Sequence, residues 1–234
     1  ILQLIKSSRN DHVYVSPYSS HCVLNSISFI STPTPILSNK ALVSIANHQW
    51  GFITKMPKYK NIIEDSVDSL IPSSSNLFPN DANFEILSLS KIFGTFGGGL
   101  IICQSKKHSK ALREIRDCRN LLYRGHFINK ILSDKFEKSN YAWNCLEPLN
   151  GYLPQVLLNN IFVKINDFSA IIKDRKMKIN LLKESSFPLA KKLPEGRLIS
   201  CWPYPIKNKK VFAESSSFQL LHCIEIVNEK KTKL

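Results

Sequence analysis

Hydrophobic and polar positions along this chain change period several times. The clearest pattern lies in residues 96–129, FGGGLIICQSKKHSKALREIRDCRNLLYRGHFIN. The triplet Gly97, Gly98 and Gly99 leads into a short apolar run at 100–103, where Ile101 and Ile102 are β-branched. Such a run suits a strand buried on both faces. Ser105 is a good N-cap for a helix over residues 106–118. Ala111, Leu112, Ile115 and Cys118 fall near helical spacing, and Lys106, Lys107, Lys110, Arg113 and Arg116 cover the rest. A second apolar run, 121–123, ends in the basic turn Arg124-Gly125-His126-Phe127-Ile128-Asn129. Strand, loop, helix and strand make one unit of a parallel α/β sheet.

Other segments have weaker signals. Residues 7–20 are polar and read as an extended arm or loop, and 22–30 as a short helix or strand. Pro33 and Pro35 make 31–39 a loop. Residues 41–45 read as an apolar turn and 50–54 as a first strand. Pro57 can open a helix in which Ile62, Ile63, Val67 and Leu70 recur at helical spacing. Residues 72–81 form a Ser/Asn/Pro-rich loop, and 84–93 a helical or mixed segment. Pro148 and Gly151 break the irregular stretch 130–150. Further on, 156–163 reads as a strand, 167–177 as a helix, 179–182 and 198–202 as strands, and 215–228 as a closing helix. The alternation predicts an α/β fold, a flavodoxin-like or Rossmann-like open parallel sheet with helices on both faces.

Charge adds a functional expectation. Lys and Arg number 32 against 18 Asp and Glu, a net +14, which points to a polyanion, although an AT-rich source would enrich Lys as well. A hydrophobic content of 43% over 234 residues suffices for one α/β domain. No apolar run approaches a membrane span.

Conventional catalytic signatures are missing. His12, His21, His48, His108, His126 and His222 show no metal-like spacing, and there is no G-x-S-x-G, Walker loop or complete G-x-G-x-x-G. The glycine triplet precedes its strand, whereas a dinucleotide fingerprint follows one, so it reads as a tight turn. The basic residues are better placed. Lys106, Lys107, His108 and Lys110 start a helix, Arg124, His126, Asn129 and Lys130 follow the next strand, and Lys207, Lys209 and Lys210 follow a third. In a parallel sheet those loops leave on one edge, where helix N–H groups also favour phosphate. The edge therefore reads as a nucleic-acid surface.

Five blocks resemble the small-subunit ribosomal protein family "S-two", which has a flavodoxin-like domain. Asn39-Lys40, Asn47 and Trp50-Gly51-Phe52-Ile53-Thr54 are similar to the N-P-K-M … R-N-G-I-H-I-I-D block that leads into its first strand. Gly98-Gly99-Leu100-Ile101-Ile102-Cys103-Gln104-Ser105-Lys106-Lys107 resembles G-G-K-I-L-F-V-G-T-K-K, and Arg124 to Asn129 the R-W-L-G-G-T-L-T-N turn. Leu153-Pro154-Gln155-Val156-Leu157, with 170–182, resembles the L-P-D-A-L-F-V-I-D strand and its helix, and Pro205-Ile206-Lys207-Asn208 the Y-x-I-P-G-N-D-D turn. Three features depart from that pattern. Only residues 130–152 stand where bacterial members carry a coiled-coil hairpin, which is thus absent or stunted; Gln155 replaces the Asp; and Lys207-Asn208-Lys209-Lys210 replaces an acidic turn.

The resemblance implies a non-enzymatic structural constituent of a small ribosomal subunit, mitochondrial in type, near the head–body junction. Its partners would be rRNA and neighbouring ribosomal proteins, with no membrane, cofactor, metal or small-molecule substrate. Residues 1–38 would be an N-terminal arm and loop and 39–234 a single α/β RNA-binding domain. The RNA-binding set would be Lys40, Lys106, Lys107, His108, Lys110, Arg113, Arg124, His126, Asn129, Lys130, Lys207, Asn208, Lys209 and Lys210. The alternative is a Rossmann-like enzyme or binding protein for a phosphorylated ligand at the same edge; it would need an acidic ribose-binding residue at a strand end and a glycine-rich loop after a strand, and neither is visible in the sequence. A binding module outside the ribosome, using the basic edge on a membrane or protein, is a third reading.

The cysteines Cys22, Cys103, Cys118, Cys145, Cys201 and Cys223 form no C-x-x-C pair and no zinc spacing with histidine. They read as reduced thiols. Thiol titration of the denatured, unreduced protein is expected to count all six cysteines, with no stoichiometric zinc.

Overall fold

The structure is a computed structural model that describes residues 1–117 (apart from 18, 37, 39, 40, 58, 60 and 96), 153, 155–184 and 196–199. Its strands are β1 (His12–Tyr14), β2 (Thr32–Thr34), β3 (Val43–Asn47), β4 (Ile62–Asp65), β5 (Ser69–Leu70), β6 (Phe84–Ser88), β7 (Gly99–Cys103) and β8 (Leu198–Ile199). Its α-helices are α1 (His21–Ser28), α2 (Leu89–Phe93), α3 (Lys106–Asp117), α4 (Gln155–Asn166) and α5 (Phe168–Glu184).

Six strands form one sheet in the order β2-β1-β3-β4-β6-β7, and β5 pairs with β8 in a small antiparallel ribbon. The first five strands of the large sheet are parallel; β7 runs antiparallel to β6 at the edge. The expected flavodoxin-like or Rossmann-like α/β class is what the structure has, with one antiparallel strand.

Side-chain alternation sorts the sheet into two faces. Val43, Ile45, Ile63 and Phe84 join Val13, Val15 and Ile27 in one core, on which α1 packs through Val23 and Leu24 and α3 through Leu112. On the opposite face Ala46 and Ile62 meet Ala82, Met56, Tyr59 and Phe78 from the loops. A third cluster gathers Leu87, α2 (Ile92, Phe93), α4 (Ile161), α5 (Ile179) and the β5–β8 ribbon (Leu70, Leu198, Ile199). Burying a side chain of this size contributes about 1.5–3 kcal/mol.

Several local expectations are overturned. The segments 7–20 and 31–39, read as arm and loop, contain β1 and β2, whereas 22–30, read as a short helix or strand, holds α1. The strand after the proline loop is Val43–Asn47, not 50–54, where a 3-10 turn (Gln49–Gly51) interrupts the chain. Ile62 and Ile63 lie in β4, not in a helix: the β-branched pair is buried between neighbouring strands, and tertiary burial overrides an apparent helical period. Residues 156–163 are helical, with Leu157 and Ile161 buried four residues apart while Val156, Phe162 and Val163 are exposed. Residues 179–182 belong to α5. The strand at 100–103 exists, but Leu100 and Ile101 are exposed because it is an edge strand. The stretch 130–152 and the expected elements at 121–123 and 215–228 lie outside the described residues.

The polar core carries the largest single electrostatic commitment. Arg197, 2% exposed, donates from Nη2 to Glu85 Oε1 (2.9 Å) and to the Asn76 carbonyl (2.8 Å), and from Nη1 to Ser66 Oγ (2.7 Å). Removing one partner of a buried ion pair leaves a bare charge and costs about 3–5 kcal/mol. Arg197→Ala is expected to lose stability on that scale in chemical denaturation, with Glu85 left uncompensated.

Candidate functional site

β3, β4 and β6 end side by side. Their register places Asn47 opposite Asp65, and Asp65 opposite Ile86. Ligands of open α/β sheets bind in the crevice beyond such carboxyl ends. Asp65 is buried there, and burial pushes its carboxyl up from 3.8 to about 6. The nearby Asp68 pushes it further up, while a backbone N–H from Val67 (3.4 Å) and the charge of Lys91 pull it down.

Lys91 reaches this region from the next strand. Ser88 ends β6 and caps the short α2, its hydroxyl accepting from the Lys91 N–H (3.4 Å). Ile92 and Phe93 are buried, which fixes the register of the helix. Gly94, at φ 64°, closes it in the left-handed conformation that glycine adopts without strain. Lys164 Nζ from α4 donates to the Phe93 carbonyl (2.8 Å), and the Leu89 N–H donates to the Gly98 carbonyl (3.0 Å). Gly98 has φ 117°, and a Cβ there would stand 3.2 Å from Ile161 Cδ1. Glycine is therefore required on two counts in the loop that folds back over α2. The Lys91 ammonium then donates to Asp68 Oδ1 at 2.5 Å.

The opposite sheet face holds a second polar group. The His48 ring and Glu64 are both fully buried, with Nε2 and Oε2 2.5 Å apart. His48 Nδ1 accepts the Thr54 N–H (3.0 Å), so Nε2 carries the hydrogen and donates to Glu64. Asn80 donates to Glu64 through its backbone N–H (2.7 Å) and side-chain amide (2.9 Å). Burial raises the Glu64 carboxyl, but the hydrogen bonds from His48 and Asn80 outweigh it and hold the group below its ordinary range. These groups satisfy one another within the core, and they fix the loop that follows β3. In that loop Trp50 sits at φ 53°, a strained value for a bulky side chain, directly after the strand end.

The residues singled out for their charge lie elsewhere. Lys106, Lys107, Lys110 and Arg113 are exposed along α3, and His108 packs its ring 5.1 Å from Phe84. Since β7 is antiparallel, α3 starts at the end of the sheet opposite the carboxyl ends of β3, β4 and β6, and the premise of one shared edge fails for this group. Lys40, Arg124, His126, Asn129, Lys130, Lys207, Asn208, Lys209 and Lys210 are outside the described residues. Lys91, Asp65 and Asp68 were missed. Two signals pointed to them: an adjacent acidic pair, Glu64-Asp65, closing the β-branched run Ile62-Ile63, and a lysine just after an apolar segment and just before Gly94 and Gly97–Gly99. The first was hidden by an apparent helical period. Among the described residues no group of three or more His, Cys, Asp or Glu could hold a metal, and no helix is long and apolar enough to cross a membrane.

The family model described as "Putative PLP-dependent aminotransferase" matches residues 1–192. No curated protein matches. Among solved structures, a "Putative sugar aminotransferase" from Streptococcus pneumoniae in its PLP form is 13% identical, with a TM-score of 0.49. The match covers 78% of this chain and 55% of that one, so the chain spans little more than half the length of this neighbour. The family match overturns the ribosomal resemblance, and with it the expected rRNA and ribosomal-protein partners, the non-enzymatic role and the exclusion of a small-molecule substrate. The five blocks that suggested it are short, and short matches recur among unrelated α/β proteins; here 155–157 and 170–182 are helical, and 124–129 and 205–208 lie outside the described residues. Of the readings weighed on sequence, the enzyme or binding protein for a phosphorylated ligand fits better. The chain belongs to the family of putative PLP-dependent aminotransferases.

Proposed function

We propose that this chain holds pyridoxal phosphate at the carboxyl ends of β4 and β6 and serves an amino-group transfer between small molecules. One observation carries the reading: a lysine amine and a buried carboxylate, Lys91 and Asp65, stand at the ends of paired strands. That donor set fits the group. Its aldehyde takes a lysine amine, and its ring nitrogen, when protonated, takes a carboxylate. Asp65 supports the fit further, because burial has raised its carboxyl to about 6 and a cation beside it would restore the charged form.

When bound, pyridoxal phosphate supplies an electron sink for the carbon next to an amino group. Asp65 would hold the proton on the ring nitrogen. Lys91 Nζ would hold the aldehyde carbon, and the same amine would be the base placed to take and return a proton. The buried α2 residues and the loop through Gly98 hold that amine on a rigid support, which proton transfer at a fixed carbon requires.

Two outcomes test this. Borohydride treatment of protein mixed with pyridoxal phosphate is expected to leave a phosphopyridoxyl group on the peptide carrying Lys91, and Lys91→Ala is expected to abolish it. Peptide mass mapping reads both, and a label on other lysines alone would refute the assignment.

The second outcome concerns Asp65. The folded protein holds the Asp65 proton more tightly than the unfolded chain does, so this group's contribution to stability is full below 3.8 and is lost as pH rises through about 6. Asp65→Asn removes that loss, worth about 3 kcal/mol at neutral pH. The cofactor-free variant is expected to unfold at higher denaturant than the parent at pH 7.5 and at nearly the same denaturant near pH 3.5. Its affinity for pyridoxal phosphate is expected to fall about 10- to 100-fold, the scale of a lost charged hydrogen bond.

A further inference from the structure

We infer that Asp68 is a positioning residue for cofactor capture: its carboxylate holds Lys91 as an ammonium in the cofactor-free chain and thereby sets how fast Lys91 reacts. The inference rests on the reading of Lys91 given above and goes beyond it, since the strand-end chemistry needs only the amine and Asp65.

The contact is built from two anchored ends. Asp68 lies in a tight turn in which the Ser69 N–H donates to the Ser66 carbonyl (2.9 Å), and Ser66 Oγ is itself fixed by Arg197 (2.7 Å). Directly after the turn, β5 pairs with β8. Lys91 is held by the packing of α2. Their side chains are 15% and 35% exposed, so the 2.5 Å contact is neither a loose surface pair nor a fully buried one. Asp68 also stands near enough to Asp65 to act on its charge, as Lys91 does. The Lys91 ammonium thus acts on both carboxylates.

That arrangement opposes covalent capture. A carboxylate at this distance favours the ammonium over the neutral amine. The nucleophile needs its lone pair. Lys91 must first give one proton to Asp68 or to water. Its nitrogen then bonds to the aldehyde carbon, and the aldehyde oxygen leaves as water with the two remaining N–H hydrogens. Asp65 would then pair with the protonated ring nitrogen, and Lys91 would no longer be needed there as a counter-charge.

The test uses the full chain and the variants Asp68→Asn and Asp68→Ala, with circular dichroism to verify folding; should the alanine variant not fold, the isosteric asparagine variant decides. Pyridoxal phosphate is mixed with each protein and quenched with borohydride at timed intervals, and the label on the Lys91 peptide is counted. Equilibrium binding of pyridoxamine phosphate, which has no aldehyde, is measured in parallel. Both variants are expected to load about two- to fivefold faster than the parent, the range for a partly exposed ion pair, with pyridoxamine phosphate affinity unchanged within about twofold. Loading at or below the parental rate would overturn the inference while leaving the Lys91 label, and the functional reading, intact. A matching change in pyridoxamine phosphate affinity would also overturn it, by making Asp68 a general binding residue. Absence of label on Lys91 in the parent would overturn the functional reading together with this one.

Discussion

Two carboxylates meet in the middle of the sheet, and the protein is arranged around neutralising them. Glu64 and Glu85 are register partners on β4 and β6, and both are fully buried. Like charges directly opposite each other destabilise a sheet, and each alone would carry a desolvation cost of several kcal/mol. Donors therefore converge from distant parts of the chain. His48 and Asn80 serve Glu64. Ser66, the Phe78 N–H and Arg197 serve Glu85. The loops after β3 and β5 cross this face, and these hydrogen bonds give them a fixed path. Arg197 ties the 196–199 segment to the sheet by the same means.

This network sets the geometry of the candidate site on the other side of the same strands. Because side chains alternate, placing Glu64 on one face places Asp65 on the other. Ser66, held by Glu85 and Arg197, begins the turn that carries Asp68 to Lys91. A polar core that looks costly in isolation thus orients a lysine and two aspartates at the strand ends. The cost appears again at Asp65, whose carboxyl is raised chiefly by burial, against one long hydrogen bond from the Val67 N–H. Functional sites often retain such perturbed groups.

Much of the class of fold was legible along the chain. The β-branched and aromatic runs, the serine caps and the strand–helix alternation around 99–117 lead to an open α/β sheet, and the sheet is there. Several elements were not legible, each for a definite reason. Ile62 and Ile63 fit a helical period as well as a strand, because adjacent apolar residues carry no period of their own. The helix α4 hides among exposed apolar residues, Val156, Phe162 and Val163, so its burial at 157 and 161 is masked. Basic clusters drew attention because net charge is visible in composition, whereas a single lysine beside a single aspartate is not.

The sequence by itself determined the alternation of strands and helices, the glycines that permit the turn over α2, the basic balance and the local placement of Lys91 one turn after β6. Those properties depend on neighbours within a few residues. Only the tertiary structure decided that β7 runs antiparallel, which separates α3 from the carboxyl ends of β3, β4 and β6. It also decided that Asp65, Asp68 and Lys91 meet, and that Arg197 crosses the chain to reach Glu85. The antiparallel direction is settled by pairing between residues 11 to 19 positions apart, and the charge pairs join residues 23 and 112 positions apart; no local pattern encodes either.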